Sequence, residues 1–556
     1  MPTLHWIGKE KVVNHHQDVP FRVLEHQYGF NADKGESEEL TESGNKIIHG
    51  DNLEALKSLL PEYEGKIKCI YIDPPYNTGN ENWVYNDNVN HPKIKKWLGE
   101  VVGKEGDDLS RHDKWLCMMY PRLKLLYKLL ADDGFIFISL DDNEIDSTNF
   151  MLKEIFGERN FQAKIVVRSN KRGQTYKQIA KTHEYLLCFS KSSESVLNGL
   201  PADDDKLPYE DEISSFSIRG LRNRNPKFGR FNRPNLFYPI YFDPDTEDND
   251  GFHPISLTQS DKFSCKVLPL NSEEEESCWR WGKEKIENNI RSLNDTSTVF
   301  ARKKNTGEYD IYEKYRKDTK KAKTIWFGKD VISEKGTKLL KELNLEDQFQ
   351  FPKPLGLILK VIRLGTNAND NDIVLDSFAG SGTTAHAVQN LNAEDGGNRK
   401  LILVEMEDYA NSITAERVKR VMKGYGNGKK KTEGTGGSFD YYQLGQPLFD
   451  ENELLNEEVE ESRIREYVWY SETKTAYPNE QAKDAHKHLL GTKDETDYYF
   501  FYEKEAITTL NHDFLATIKQ KADQYVIYAD NCLLSKEFLQ SRNIIFKKIP
   551  RDISRF

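Results

Sequence analysis

The sequence predicts an α/β protein built on a doubly wound, mostly parallel sheet, and three observations carry that prediction. Short apolar strands alternate with helices of three- and four-residue periodicity from Lys46 to Phe189. The alternation breaks down between about Ser190 and Phe349 into aromatic and charged pieces rich in Asn, Asp, Pro and Gly. It resumes after Pro354. Strands alternating with helices imply parallel pairing. At 556 residues the chain exceeds what one hydrophobic core serves, so an inserted domain and a C-terminal module are expected.

Taken in order, the strand Ile47-Ile48-His49 leads to a helix over Asn52 to Leu60. A strand follows over Lys68 to Ile72, and it ends in Asp73-Pro74-Pro75-Tyr76. Asp113 to Leu130 is a predicted helix, with Leu116, Met119, Leu123, Leu126 and Leu130 on one face. Next come a strand over Gly134 to Leu140, a helix from about Asn143 to Phe156 and a strand over His183 to Phe189. Past the interruption, a helix after Pro354 precedes the strand Ile373 to Leu375, a glycine turn and a helix through Asn390. The strand Leu401 to Val404 and a helix over Asn411 to Lys423 complete this part. Gly424 to Gly437, rich in Gly and Lys, reads as a linker. Beyond it the pattern is a smaller α+β module, with strands near Asp497 to Tyr502 and Gln524 to Tyr528. No repeat of solenoid length occurs.

The net charge of −11 by itself argues against a polyanionic partner, but the charges are segregated. Acidic runs (Asp203 to Asp205, Asp243 to Asp250, Glu273 to Glu276, Glu457 to Glu461) leave other stretches purely basic, which permits a basic cleft. No apolar run approaches the ~18 residues of a membrane span, and the first residues lack a signal peptide's apolar centre, so a cytoplasmic protein without a membrane partner is expected. The six cysteines form no CxxC pair. His183-Glu184 has Leu187 where a zincin requires its second histidine. No metal is expected.

Two constellations carry chemistry. Asp376-Ser377-Phe378-Ala379-Gly380-Ser381-Gly382-Thr383-Thr384 lies between an apolar strand and a helix, where glycines let the backbone approach a ligand beneath a helix N-terminus. The GxGxxG pattern is met only with Ala385 in third place, and a P-loop's GK[ST] is absent. Alone, the motif fits a structural tight turn as well as a cofactor loop. Twenty-one positions beyond Thr384, Glu405 ends the next strand, where such sheets present a carboxylate to ribose hydroxyls. In the second constellation two prolines hold the backbone extended behind Asp73 and remove two donors, leaving a rigid corner rich in acceptors. Such a corner suits an exocyclic amino group, whose lone pair is drawn out of the ring when its hydrogens are accepted. Tyr76 offers a face to a base taken out of its stack. Alone, this segment fits a proline-stopped strand with a packing tyrosine better.

With both constellations present, the chain resembles the amino-methyltransferases of DNA restriction-modification systems, and in particular the modification subunit of type III systems. The catalytic motif of that family stands as Asp73-Pro74-Pro75-Tyr76 and its cofactor motif as Phe378-Ala379-Gly380-Ser381-Gly382. The catalytic motif comes first, with a long insertion between the two, which is the circularly permuted order of the beta class. Gly50-Asp51, Phe351-Pro352-Lys353-Pro354, Ser139 to Glu144 and His183-Glu184-Tyr185 are further matches.

The resemblance implies a Rossmann-like core that binds S-adenosylmethionine. Asp51 would meet the cofactor's adenine and Glu405 its ribose, with Lys353 and Pro354 framing the pocket; Asp376, Phe378, Gly380, Gly382, Thr383 and Thr384 complete the expected set. It also implies boundaries: an N-terminal arm (1–30), a catalytic half (31–190), a target-recognition domain (191–349), a cofactor half (350–424), a linker (425–440) and a C-terminal module for assembly (441–556). Expected partners are double-stranded DNA, a second copy of the chain and a restriction endonuclease or helicase subunit.

Arg219, Arg222, Arg224, Lys227, Arg230 and Arg233 lie in the insertion, interleaved with Phe228 and Phe231 and free of acidic neighbours, and are read as DNA-binding. Arg168, Lys171, Arg172 and Lys177 are read as a second DNA-facing loop. The expected reaction is direct methyl transfer to N6 of adenine, without a covalent intermediate, since no Pro-Cys nucleophile is present. Cytosine N4 is the rival with the same chemistry, although the family usually places Ser at position 73 for it. A recognition subunit serving only to deliver a nuclease is the rival of another class, and the two intact motifs speak against it.

Overall fold

The computed structural model describes residues 3–77, 111–173, 178–201, 207–290, 297–316, 319–345, 349–426, 428, 431–450, 452–475, 477–478 and 486–551. Two compact units emerge. One comprises Met1–Asn198 with Lys323–Phe556, and the other Gly199–Ala322.

An eleven-stranded sheet organises the first unit. In chain order its strands are β1 (Arg22–Asn31), β2 (Gly35–Ser37), β3 (Lys46–His49), β4 (Ile67–Ile72), β5 (Leu130–Leu140), β6 (Phe161–Val167), β7 (Glu184–Ser190), β8 (Ile325–Trp326), β9 (Ile373–Asp376), β10 (Lys400–Glu405) and β11 (Ser438–Pro447). Across the sheet they run β8-β6-β7-β5-β4-β9-β10-β3-β11-β1-β2. The six strands from β5 to β11 pair in parallel; β7 with β6 on one side and β1 with β2 on the other add antiparallel pairs, and β8 joins β6 in parallel at the far edge. The two strands from the later half of the chain thus slot between β4 and β3 of the earlier half.

Helices α1 (Asn52–Tyr63), α2 (Arg111–Leu129), α3 (Ile145–Phe156), α4 (Leu355–Gly365), α5 (Thr383–Asp395) and α6 (Glu416–Lys423) connect these strands. Every residue of β4 except Lys68 is buried, the near-continuous apolar run of a strand covered on both faces. On α4, Leu357, Ile358, Val361 and Ile362 are buried at the spacing of one helical face. Asp51 caps α1 by accepting from the backbone N–H groups of Leu53 and Glu54. Gly424 ends α6 with φ +95°. Among the described residues no helix is long and apolar enough to cross a membrane.

The sheet extends past the boundaries expected from sequence. β1 brings the end of the predicted N-terminal arm into the sheet by pairing with β11, and β11 draws in residues 438–447 that the sequence divides between linker and C-terminal module. Gly424–Tyr425 and Thr432–Glu433, inside the predicted linker, form a small antiparallel ladder. Glycine and lysine content suggested a tether, whereas Phe439, Tyr441 and Tyr442 supply apolar contacts that hold the adjoining strand against β3. Residues 323–349, expected within the insertion, belong to the first unit. The C-terminal part also holds a four-stranded sheet of β12 (Leu489–Lys493), β13 (Thr496–Phe500), β14 (Gln524–Ala529) and β15 (Ile544–Lys548).

The second unit has a five-stranded and a three-stranded antiparallel sheet. Its core gathers Leu221, Ile240, Trp279 and Ile311.

One side chain couples α1, α2 and the turn after β9. Asn52, 2% exposed, donates from Nδ2 to the Ser377 carbonyl at 2.9 Å and accepts from Arg122 Nε at 2.6 Å. Replacing it by Ala leaves buried polar groups without these bonds, a loss of about 1–3 kcal/mol. Asn52→Ala is therefore expected to lower the unfolding midpoint in a denaturant titration, and an unchanged midpoint would exclude the coupling.

Candidate active site

Parallel register sets the carboxyl ends of four strands side by side. β4 pairs with β9 (Ile70 opposite Leu375), β9 with β10 (Asp376 opposite Leu403) and β10 with β3 (Glu405 opposite His49). Asp73, Asp376, Glu405 and Asp51 stand at or just beyond those ends, where open α/β sheets bind ligands.

A pocket of about 360 Å³, open to solvent, is lined by Tyr71, Asp73, Phe349, Phe351, Pro352, Lys353, Asp376, Phe378, Ala379, Gly380, Ser381, Thr383 and Thr384. Asp73 meets most of the Asp376 to Thr384 turn here, although some 300 positions separate them, while Pro74, Pro75, Tyr76 and Gly382 are not among the lining residues. Glu405 stands behind the glycine turn and accepts from the N–H of Gly380 at 2.7 Å and of Glu407 at 3.0 Å. Asp376 accepts from Thr384 Oγ1 at 2.5 Å and from the Phe378 N–H at 3.0 Å. Gly380 and Gly382 have φ of +52° and +76°, and a Cβ on Gly382 would lie 3.0 Å from the Thr414 carbonyl. Pro354 precedes α4 as its N-cap residue. Asp51 does not line the pocket; it is one strand further along, about 31% exposed and 3.5 Å from Arg122.

The corner after β4 is held from several sides. The Pro75 carbonyl accepts from Trp115 Nε1 at 2.6 Å, and Pro74 is buried. Asn77, with φ +56°, donates to Glu144 at 2.5 Å. Lys353 Nζ lies 3.3 Å from Asp73 Oδ1 and 2.9 Å from Glu184 Oε2, donates to the Tyr76 hydroxyl and sits 4.6 Å from the centre of the Tyr76 ring. The Tyr76 hydroxyl donates to the same Glu184 oxygen at 3.0 Å.

Electrostatics follow from burial. Removal from water pushes the Asp73 carboxyl up to about 6, with Lys353 opposing and Glu184 adding to the rise. Burial likewise lifts Asp376 to about 7 and Glu405 to about 8. Burial alone would lower the Lys353 ammonium, but Asp73 and Glu184 outweigh it and raise it. Two carboxylates, Asp73 and Glu184, thus flank the Lys353 ammonium, while burial favours the neutral form of Asp376 and Glu405.

Two residues of this site have roles that the sequence motifs as read do not reveal. Glu184 was read within the family match His183-Glu184-Tyr185 without a role, and nothing in its spacing places it against Tyr76. Arg417, fully buried on α6, donates to Ser381 Oγ at 2.9 Å and Thr383 Oγ1 at 2.8 Å, and so grips the glycine turn from below. Its guanidinium is pushed down to about 9 by burial. An arginine in a helix otherwise reading as surface-charged gives no hint of this.

The basic candidates are dispersed. In the first unit Lys171 and Arg172 are exposed, Arg168 is half-buried and donates to the Phe327 carbonyl at 2.5 Å, and Lys177 lies outside the described residues. In the second unit Arg219, Arg224, Lys227 and Arg233 are exposed and Arg222 is half-buried. Arg230 pairs with Glu276 at 2.6 Å, and Arg233 stacks over Phe228 at 5.2 Å.

Residues 67–416 match the family described as DNA methylase. The chain is similar to the type III restriction-modification enzyme EcoPI Mod subunit of Escherichia phage P1, at 32% identity, covering 76% of this chain and 68% of the relative. It is 35% identical to the type II methyltransferase M.KpnI of Klebsiella pneumoniae, covering 68% and 84%. The type III EcoP15I Mod subunit of Escherichia coli is 28% identical, covering 81% and 73%.

At Gly382 the left-handed backbone and the close Thr414 carbonyl forbid a side chain. Gly382→Ala is expected to cost about 1–2 kcal/mol from backbone strain alone and to distort the turn. Thermal unfolding and calorimetric titration with S-adenosylmethionine would record both effects, and unchanged affinity would place the ligand elsewhere.

Proposed function

From the membership of this chain in the DNA methylase family, we propose that its pocket transfers a methyl group to N6 of an adenine flipped out of duplex DNA. The protein is a site-specific adenine-N6 DNA methyltransferase of the restriction-modification kind, and its methyl donor is S-adenosylmethionine. The observation that carries this reading is the meeting of Asp73, which opens the Asp73-Pro74-Pro75-Tyr76 corner, with the Asp376 to Thr384 turn across β4 and β9.

The pocket suits the donor in shape. Glycines with left-handed backbone leave room at the turn, and Glu405 and Asp376 stand at the strand ends beside it, held by backbone N–H groups. Phe378, Gly380, Gly382, Thr383, Thr384, Asp376 and Glu405 would hold it, with Lys353 and Pro354 at its border and Asp51 at the adenine end. When bound, it supplies an activated methyl group on a sulfonium.

Asp73 and the Pro74 carbonyl are the acceptors assigned to the adenine amino group, because the Pro75 carbonyl is already engaged by Trp115. Accepting both hydrogens draws the nitrogen lone pair out of the ring and aims it at the methyl group. Tyr76, fixed through its hydroxyl, gives the extruded base a face to stack on. As positive charge develops on nitrogen, the Asp73 carboxylate stabilises it.

For target recognition we assign phosphate and base contacts to Arg219, Arg222, Arg224, Lys227 and Arg233, with Arg168, Lys171 and Arg172 contributing from the first unit. Arg230 takes part only by leaving Glu276. A second copy of the chain and a restriction subunit are the proposed protein partners, and the cytoplasm the proposed compartment. The Mod subunits among its relatives carry type III restriction-modification names.

Labelled methyl groups should pass from S-adenosylmethionine to unmethylated duplex DNA and be recovered as N6-methyladenine. Recovery in cytosine alone would overturn the base assignment. Because Asp73 must be ionised and burial holds it near 6, kcat/KM should rise with pH through about 6 and level off above. Asp73→Asn keeps one acceptor but loses the charge, so turnover should fall on the order of 10²-fold and the acid limb should disappear. A wild-type profile flat from pH 5 to 8 would contradict the assignment.

A further inference from the structure

Resting on the reading of Asp73 as the acceptor of the target amino group, we propose that Glu184 is a positioning residue of the catalytic corner. It holds the Lys353 ammonium so that Asp73 keeps an open acceptor, and it leaves the corner with net negative charge where positive charge develops on the attacked nitrogen.

The geometry has three parts. Lys353 lies between Pro352 and Pro354 at the start of α4, so its backbone is stiff and its ammonium is delivered to one place. There it is closer to Glu184, at 2.9 Å, than to Asp73, at 3.3 Å. The longer contact is an ion pair of poorer hydrogen-bond geometry, and Asp73 Oδ1 is buried without a well-aligned hydrogen-bond partner. On Glu184 both donors, Lys353 and Tyr76, converge on Oε2, and Oε1 is likewise buried and unpartnered. A pair built only for stability satisfies its buried oxygens. This one leaves an acceptor open on the residue that needs it.

Charge points the same way. The side chains of Asp73, Glu184 and Lys353 are 13, 9 and 11% exposed, and two carboxylates against one ammonium leave an excess of one negative charge. As the amino nitrogen bonds to the methyl carbon and the carbon–sulfur bond breaks, positive charge passes from sulfur, which leaves as a neutral thioether, to nitrogen, whose proton then goes to water. A fixed negative excess beside that nitrogen favours the change without reorganisation. Without Glu184 the corner would be neutral, and the ammonium, which also covers one side of the Tyr76 ring, would settle on Asp73 and occupy the acceptor.

The groups that set the ionisation of Asp73 are Lys353 at the start of α4, Glu184 on β7, Tyr76 on its own loop, Tyr71 on β4 and Asp376 on β9. Removing the Glu184 charge deletes a neighbour that raises Asp73 and gives Lys353 to Asp73 alone. Both changes lower it.

The test is single-turnover methyl transfer against pH, with labelled S-adenosylmethionine and amplified genomic DNA, which carries no methyl marks. Glu184→Gln is expected to lose about 10- to 100-fold in rate, the range seen when an outer group that orients a reacting one is removed. Its acid limb should move below that of wild type, with affinity for S-adenosylmethionine within twofold by calorimetry. Lys353→Met should move the limb the opposite way. Glu184→Asp, which keeps the charge but withdraws it, should give an intermediate fall and carries the test if Glu184→Gln does not fold. A limb that stays in place or rises when Glu184 is changed, or a loss confined to cofactor affinity, overturns the proposal. Wild-type protein that transfers no methyl group to DNA adenine overturns the functional reading instead.

Discussion

The parallel pairing of β4 with β9 is the constraint on which the rest of the molecule depends. It joins a strand from the first eighty residues to one beyond residue 370, and sets Asp73 and Asp376 at one sheet edge. β10 then pairs between β9 and β3, and so carries Glu405 to the same edge as Asp51. A register slip of one residue at either contact would turn every buried side chain of the strand to the opposite face. Core packing and site geometry are therefore specified by the same ladder. Ile70, Leu375 and Val404 bury apolar surface in the act of aligning three carboxylates.

Burying those carboxylates opposes folding, and the structure answers with backbone donors. Gly380 and Glu407 give their N–H groups to Glu405, and Phe378 gives its own to Asp376. The turn that makes room for a ligand thus also solvates the acids around it. Asp73 is treated differently. It has an ammonium nearby and an open oxygen, an arrangement less favourable for stability and more favourable for accepting a substrate hydrogen.

What the sequence disclosed was whatever depends on local pattern. Apolar runs located β3, β4, β9 and β10, and the polar motifs that end them located most of the pocket. Three kinds of feature were hidden. β1 and β11 lie toward the edge of the sheet, where half the surface meets solvent and the apolar signal is diluted by Glu25, His26 and Gln443. Arg417 and Glu184 act through partners far away in the chain, and no spacing rule reaches them. The basic stretch around Arg219 to Arg233 looked uniform in sequence, yet Arg230 is matched by a glutamate from 46 positions on.

The interleaving of β9 and β10 between β4 and β3 also governs how the molecule is made. During synthesis the earlier half emerges first, with the inward edges of β3 and β4 lacking the strands that will separate them. More than 300 residues must follow before Glu405 leaves the ribosome, which at ~5–20 residues per second takes on the order of tens of seconds. Throughout that interval two apolar strand edges that belong three places apart are free to meet each other directly. The nascent chain is therefore a natural client for chaperones. Premature termination within residues 199–322 would yield no half-enzyme at all, only a sheet with its centre missing.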